Sequence, residues 1–306
     1  MRYPPKFGVA LVDVGVDELV ETAHAAEAAG FASLWLGDHI IVPYDLSTAH
    51  PSDADTRSAE DQGFQPRVSP TAKLLDPLVA LAAVVSVTTR IHVGTGVLVL
   101  TMRHPLATAR SVASLAEISA GRLMLGLGSG WLREEFDALD IPFDERGSRY
   151  DESLEILRLA LRGGKFEHDG RHFSFGPVQV VDQPIDLPIV LGGNSDHALR
   201  RAAGFADAWF ASGTPAFEEA ARLRNRLEEF WHANDRLDMV ETLVRVPRVD
   251  GGEVDRYREA GFDHLLFWAQ EICKDTEDRR LAFQRAAETL GIERTNIDHI
   301  VPIQET

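Results

Sequence analysis

Cysteine is almost missing from this chain: Cys273 is the single one among 306 residues. An internal disulfide is therefore excluded, and such usage fits a reducing cytoplasm, which is the expected location. Basic residues are also in short supply. Against 48 Asp and Glu there are 31 Lys and Arg, a formal net charge of −17. Nucleic acid and anionic membranes call for a basic face, so neither is an expected partner. No long hydrophobic run is present, and Leu78–Val87 is far too short to span a bilayer. Met1-Arg2-Tyr3-Pro4-Pro5 leads into a polar-flanked strand without the apolar stretch of a secretory signal. There is no Cys–His set and no H-E-x-x-H, so no metal is expected. A G-x-S-x-G elbow and a phosphate-binding G-x-x-x-x-G-K-[ST] loop are absent too.

What recurs is a joint. Ala29-Gly30-Phe31 precedes Ser33-Leu34-Trp35-Leu36, and Ala120-Gly121-Arg122 precedes Leu123-Met124-Leu125. Ala203-Gly204-Phe205 precedes Ala208-Trp209-Phe210, and Ala260-Gly261-Phe262 precedes His264-Leu265-Leu266-Phe267. Each is a helical pattern ending in Gly, which relieves the cost of a left-handed residue past a helix end. The apolar run that follows does not alternate, as expected of a strand buried on both faces. Four more strands are predicted at Phe7–Leu11, Ile91–Leu98, Leu187–Leu191 and Leu243–Val249. Helices are predicted at Asp17–Ala29, Pro77–Val87, Ala107–Ser119, Glu145–Leu161, Ser195–Ala203, Phe217–Ala233, Val254–Ala260 and Thr276–Leu290. Strands alternating with helices read as parallel α/β, and eight such units close into a TIM (β/α)8 barrel. An open doubly wound sheet is the rival. Residues 1–306 are expected to form one domain. Two insertions break the rhythm, one after strand 2 (Tyr44–Leu75, long and polar, a candidate lid) and one before strand 5 (Phe166–Asp186, a hairpin).

In a barrel, function gathers where strands end. Gly37-Asp38-His39 stands at one such end, and an imidazole there can pass protons near neutral pH. In isolation such a pair is more often a structural turn. Gly192-Gly193-Asn194-Ser195 follows an apolar strand and opens a helix, whose N-terminus suits a phosphate. An ordinary capped turn explains it equally well. Gly126-Leu127-Gly128-Ser129-Gly130-Trp131 fails as a dinucleotide fingerprint, because its last glycine position is Trp131. His168 and His172 read as flanking a turn, Trp35, Trp209 and Trp268 as core, and Glu134 and Glu135 as solvated acids.

These strand-end motifs also occur together in a known family. The stretches are Ala29–Trp35 with Asp38-His39, Thr89–Val97, Arg103-His104-Pro105, Gly121–Trp131, Phe143–Gly147 and Pro188–Ser195. In this combination and order the chain resembles the luciferase-like monooxygenase superfamily, in particular its coenzyme F420-dependent branch. The resemblance implies a TIM barrel with a reduced deazaflavin or flavin across the strand ends. It implies a non-prolyl cis peptide at Gly96–Val97 that backs the central ring. It also implies a cofactor-binding set of Asp38, Thr95, Gly96, Val97, His104, Gly128 and Ser129, with Gly192, Gly193 and Asn194 at the phosphate. His39 is then the expected proton donor or acceptor, with Asp38 orienting it or touching the ring. Trp131 stands where the family's sugar-phosphate dehydrogenases carry a catalytic Glu, which argues for a planar or apolar substrate instead. The expected activity is hydride transfer between F420 and a small organic molecule. An FMN-dependent monooxygenase and a non-catalytic flavin-binding relative are the alternatives. The oligomeric state is left open, a homodimer among the candidates.

Overall fold

The computed structural model describes residues 6–49, 58–67, 69–236, 240–274 and 278–292. Along the chain come β1 (Lys6–Leu11), α1 (Val16–Ala29), β2 (Ser33–Leu36), α2 (Ala59–Gln62), α3 (Pro77–Val87), β3 (His92–Thr95), β4 (Leu98–Val99) and α4 (Pro105–Ser119). Then follow β5 (Leu123–Gly128), α5 (Arg133–Ala138), α6 (Arg146–Arg162), β6 (Phe166–Asp169), β7 (Ser174–Val178), β8 (Ile189–Gly192) and α7 (Asp196–Phe205). The remainder is β9 (Ala208–Phe210), α8 (Phe217–Ala233), β10 (Glu241–Arg245), α9 (Gly251–Glu259), β11 (His264–Trp268), α10 (Ala269–Ile272) and α11 (Arg279–Leu290).

Strand pairing runs β1–β2–β3–β5–β8–β9–β10–β11 and back to β1, parallel at every step. β4 continues β3 along β5, so the two make one wall and the sheet closes as a TIM barrel. Both expected insertions are found. β6 and β7 form the antiparallel hairpin before β8. Residues 50–57 and 68 of the Tyr44–Leu75 insertion lie outside the described residues.

Three of the four Gly joints end their helices as read, with Gly30, Gly121 and Gly261 left-handed at φ 90°, 83° and 85°. The Ala203-Gly204-Phe205 joint is a correction: Gly204 lies inside α7, and the helix runs on until the Ala206 N–H bonds the Ala202 carbonyl at 2.9 Å. The last helix starts at Arg279, and its expected first residues, from Thr276, fall partly outside the described set. β10 stops at Arg245, short of the expected Val249, because Pro247 offers no N–H to the ladder. It begins earlier, at Glu241, where the N–H and the hydroxyl of buried Thr242 both donate to the Asp263 carboxylate.

Apolar side chains form two layers. The larger lies between strands and outer helices, while Trp35, Met124, Val190, Ala208, Phe210, Leu243 and Leu266 fill the barrel interior. Gly94 makes room there, since a Cβ on it would stand 2.4 Å from the Trp35 ring. One polar network is sealed in the same interior. The Trp35 indole N–H donates to Ser33 Oγ at 2.7 Å, and Ser33 Oγ lies 2.7 Å from His264 Nε2. His264 Nδ1 is buried without a partner, and burial pushes the imidazole down to about 3.

That depression has a defined sign. Between about 3 and the unfolded value near 6.5, the unfolded chain binds a proton that the folded one does not. The contribution of His264 to stability is therefore complete above pH 6.5 and is lost as the pH falls. It amounts to about 2 kcal/mol by pH 5. Urea titrations at pH 7 and pH 5 are expected to show this loss, and His264→Asn to remove most of it. An unchanged pH dependence in that variant would assign the acid sensitivity elsewhere.

Candidate active site

The C-terminal strand ends bring five loops together. After β2, Gly37 leads to Asp38 and His39. His39 Nδ1 lies 2.8 Å from Glu135 Oε2, and the other oxygen of Glu135 accepts the N–H of Ile40 at 2.9 Å and of Ile41 at 3.4 Å. Glu135 is 1% exposed. The reading of Glu135 as a solvated acid is thus corrected. A first-turn acid is usually explained by the helix dipole alone, and that pattern hid the partner 96 residues away. Glu134 accepts bonds from the backbone and side chains of Ser47 and Thr48, and although burial acts the other way these hold its carboxyl down at about 2. It fastens the start of the long insertion to α5.

A carboxylate at Nδ1 fixes the imidazole's tautomer. With Glu135 ionised, the ring proton sits on Nδ1, and Nε2 is left as a lone-pair acceptor. Among the described residues Nε2 makes no hydrogen bond, and the side chain keeps 19% of its exposure. The Trp131 ring meets the imidazole edge to face, with centroids 6.2 Å apart.

Asp38 makes no hydrogen bond to His39 among the described residues, which corrects the expectation that it orients that ring. Its carboxylate accepts the Val99 N–H at 2.8 Å and the two Nη groups of Arg103 at 2.6 and 3.1 Å. Burial raises the Asp38 carboxyl above its ordinary value, with Arg103 pulling it back. Arg103 also reaches Asp76, the N-cap of α3. Asp38 therefore braces the turn between β2 and β4.

The wall made by β3 and β4 is interrupted at Gly96–Val97, and that peptide bond is cis. The Val97 side chain rests on bare backbone of the next two strands. A Cβ on Gly128 would lie 2.5 Å from one Val97 methyl, and a Cβ on Gly192 would lie 2.9 Å from the other. Thr95 is fully buried, its hydroxyl donating to the Gly126 carbonyl at 2.6 Å. The Ser129 carbonyl accepts the Thr101 hydroxyl at 3.0 Å. His104 stands at the start of α4. Its imidazole caps α4, meets Phe173 of the hairpin edge to face, and lines a groove of about 640 Å³ between α3 and α4.

After β8, the Asn194 amide is clamped to Ser212 in both directions, at 3.0 and 2.8 Å. The Trp209 indole holds the Gly193 carbonyl at 2.8 Å. Ser195 caps α7 through the Ala198 N–H. Among the described residues the N–H groups of Asn194, Ser195, Asp196 and His197 make no hydrogen bond. They stand at the open end with the positive end of the helix dipole, and the Asp196 charge beside them is paired with Arg226 at 2.9 Å.

Sequence reasoning also missed Arg245. A lone arginine in the apolar run Leu243-Val244-Arg245-Val246 was the available signal, since such a residue is rarely buried without a reason. The insertion touches this side as well: the Phe64 ring meets Trp268 edge to face, centroids 5.7 Å apart, and its N–H bonds Glu271. No described group of three or more His, Cys, Asp or Glu side chains could hold a metal ion, and no described helix is long and apolar enough to cross a membrane.

The profile of a family described as luciferase-like monooxygenase matches residues 4–249. An uncharacterised protein of Mycobacterium tuberculosis is 32% identical over 237 residues, 77% of this chain and 78% of that one. The F420-dependent glucose-6-phosphate dehydrogenase of Nakamurella multipartita is 28% identical over 307 residues, 96% of this chain and 82% of that one. Among solved structures, an F420-dependent secondary alcohol dehydrogenase in complex with an F420-acetone adduct superposes with a TM-score of 0.72 at 16% identity, covering 95% of this chain and 99% of that one. At that identity the likeness is one of fold.

Proposed function

The chain belongs to the luciferase-like monooxygenase family, and from that premise we propose that it transfers a hydride between coenzyme F420 and a small organic substrate. The observation that carries the reading is the His39–Glu135 pair at the barrel mouth, with Nε2 of the ring making no hydrogen bond among the described residues. Moving a hydride to or from a carbonyl carbon requires a proton to move at the oxygen, and a tautomer-fixed imidazole does that. F420-dependent names among the relatives support the choice of coenzyme.

The residues present fit such a group. Gly128 and Gly192 make room for the Val97 methyls, and this branched apolar side chain, held half-buried at the strand ends, would support the face of a flat ring. The free N–H groups of Asn194 to His197 would hold a phosphate. When bound, the coenzyme supplies or accepts the hydride. His39 gives or takes the proton, Glu135 holds the imidazole in place, and the insertion fastened by Glu134 shields the mouth from water. Trp131, edge-on to His39, walls the substrate side with an apolar surface and favours an aromatic or aliphatic carbonyl compound over a sugar phosphate.

The family description favours a second reading, an FMN-dependent monooxygenase on the same barrel. Equilibrium titration with F420 and with FMN separates them, followed by turnover with and without oxygen. We expect F420 to bind at least tenfold tighter and turnover to proceed anaerobically. Tighter FMN binding with oxygen-dependent turnover would replace the first reading by the second.

A further inference from the structure

We propose that Arg245 is an anion-binding residue at the floor of the barrel mouth, pairing with a negatively charged oxygen of the molecule seated there. The inference rests on the mouth being the ligand site, as the proposed function has it, but not on which cofactor fills it.

Arg245 ends β10, the seventh wall of the barrel, and its Nη2 donates to the carbonyl of Gly96, on the third wall, at 2.7 Å. Third and seventh walls face each other, so this side chain crosses the whole interior. Nη1 donates to the Gly213 carbonyl, in the loop after β9, at 3.2 Å. Both carbonyls belong to the open end. The Phe210 and Trp268 rings both lie against the guanidinium, each centroid 4.5 Å from Cζ. Below it lie Trp35, Leu243 and Leu266 of the inner core, so the charge forms the last layer before the mouth.

The arrangement is incomplete by its own chemistry. A guanidinium has five N–H donors in a fixed fork. Two carbonyls engage it here, and Nε is buried with no partner. No carboxylate pairs with it among the described residues, although the chain as a whole carries a large acidic excess. Burial alone pushes the group down to about 9. A buried cation without a counter-charge is unfavourable in a finished protein interior. Arg245 keeps 7% of its exposure at the open strand ends, and a planar oxyanion seated in the mouth would meet the N–H groups of the fork that the two carbonyls leave over.

Two sources offer that chemistry: a carboxylate or enolate on the substrate, and the pyrimidine edge of a flavin-type ring, which gains negative charge on reduction. Equilibrium dissociation constants for benzoate, and for oxidised and reduced F420 and FMN under anaerobic conditions, distinguish them. The proteins are wild type, Arg245→Gln, which keeps an N–H for Gly96 but loses the charge, and Arg245→Lys, which keeps the charge. We expect the Gln variant to lose roughly thirtyfold or more for the anionic partner and the Lys variant to lose far less. A loss confined to benzoate places the oxyanion on the substrate, and a loss confined to the reduced cofactor places it on the ring. If a Gln variant with wild-type melting behaviour binds every probe within threefold of wild type, Arg245 only ties the strand ends together and the inference is overturned. Wild type binding benzoate through Arg245 but neither cofactor would sink the proposed function and leave this inference standing. Wild type binding none of the probes would overturn both.

Discussion

Glu135→Gln is expected to lower turnover by roughly a hundredfold or more while leaving coenzyme affinity within about threefold of wild type. The substitution keeps the shape of the side chain, and its oxygen can still accept the Ile40 and Ile41 N–H groups. What changes is the group facing His39 Nδ1. A carboxylate requires a proton on Nδ1, whereas an amide N–H donates to Nδ1 and drives the ring proton to Nε2. The ring then presents a donor where the wild type presents an acceptor. His39→Asn removes the proton carrier itself and is expected to cost between about a hundredfold and ten-thousandfold. Both are measured with whichever alcohol the wild type oxidises fastest, the direction in which Nε2 takes the proton, followed by the loss of oxidised-coenzyme absorbance. The loss should fall on kcat rather than KM, because neither change removes apolar contact with the substrate. A Glu135→Gln enzyme with unchanged kcat, or one whose whole defect is in KM, would show that the pair is only a structural clasp.

That pair also marks where the sequence stops being legible. The barrel could be read because its determinants are local: Gly past a helix end, an unalternating apolar run, a helical period, repeated until closure was the economical topology. The Gly204 joint misled for the same local reason, since nothing in three residues says whether a helix ends there or one turn later. His39 was singled out through the family resemblance, since by itself an imidazole at a strand end reads more often as part of a structural turn. Its partner was not, because Glu135 looks like any acid at the start of a helix, and only the closed barrel brings the two together. Asp38 was assigned to His39 by adjacency. Neighbours in sequence at a strand end point opposite ways, and Asp38 turns back to Arg103 and Val99. Arg245 was missed although a lone arginine in an apolar strand was there to be noticed, and its reach across the barrel to Gly96 depends on the facing wall.

Gly193→Asp is expected to abolish tight coenzyme binding, and comparison with Gly193→Ala shows how much of the loss is charge. Gly193 has φ 131°, and a Cβ there would meet Ala198 Cβ at 2.6 Å, so either substitution strains the turn into α7. The Ala variant carries that strain alone and should weaken binding by about tenfold, a cost near 1.4 kcal/mol. The Asp variant adds a negative charge beside the unengaged N–H groups of Asn194 to His197, where an anionic phosphate would have to sit. It should lose a further tenfold or more at low salt. Repulsion between partly exposed charges is screened, so the gap between the two variants should narrow as salt rises from about 0.01 M to 1 M, while the loss common to both should not. Melting temperatures of the free variants test whether the barrel remains folded. Equal losses for Ala and Asp at every salt concentration would mean that no phosphate lies at this helix end, and the coenzyme would then have to be anchored elsewhere on the rim.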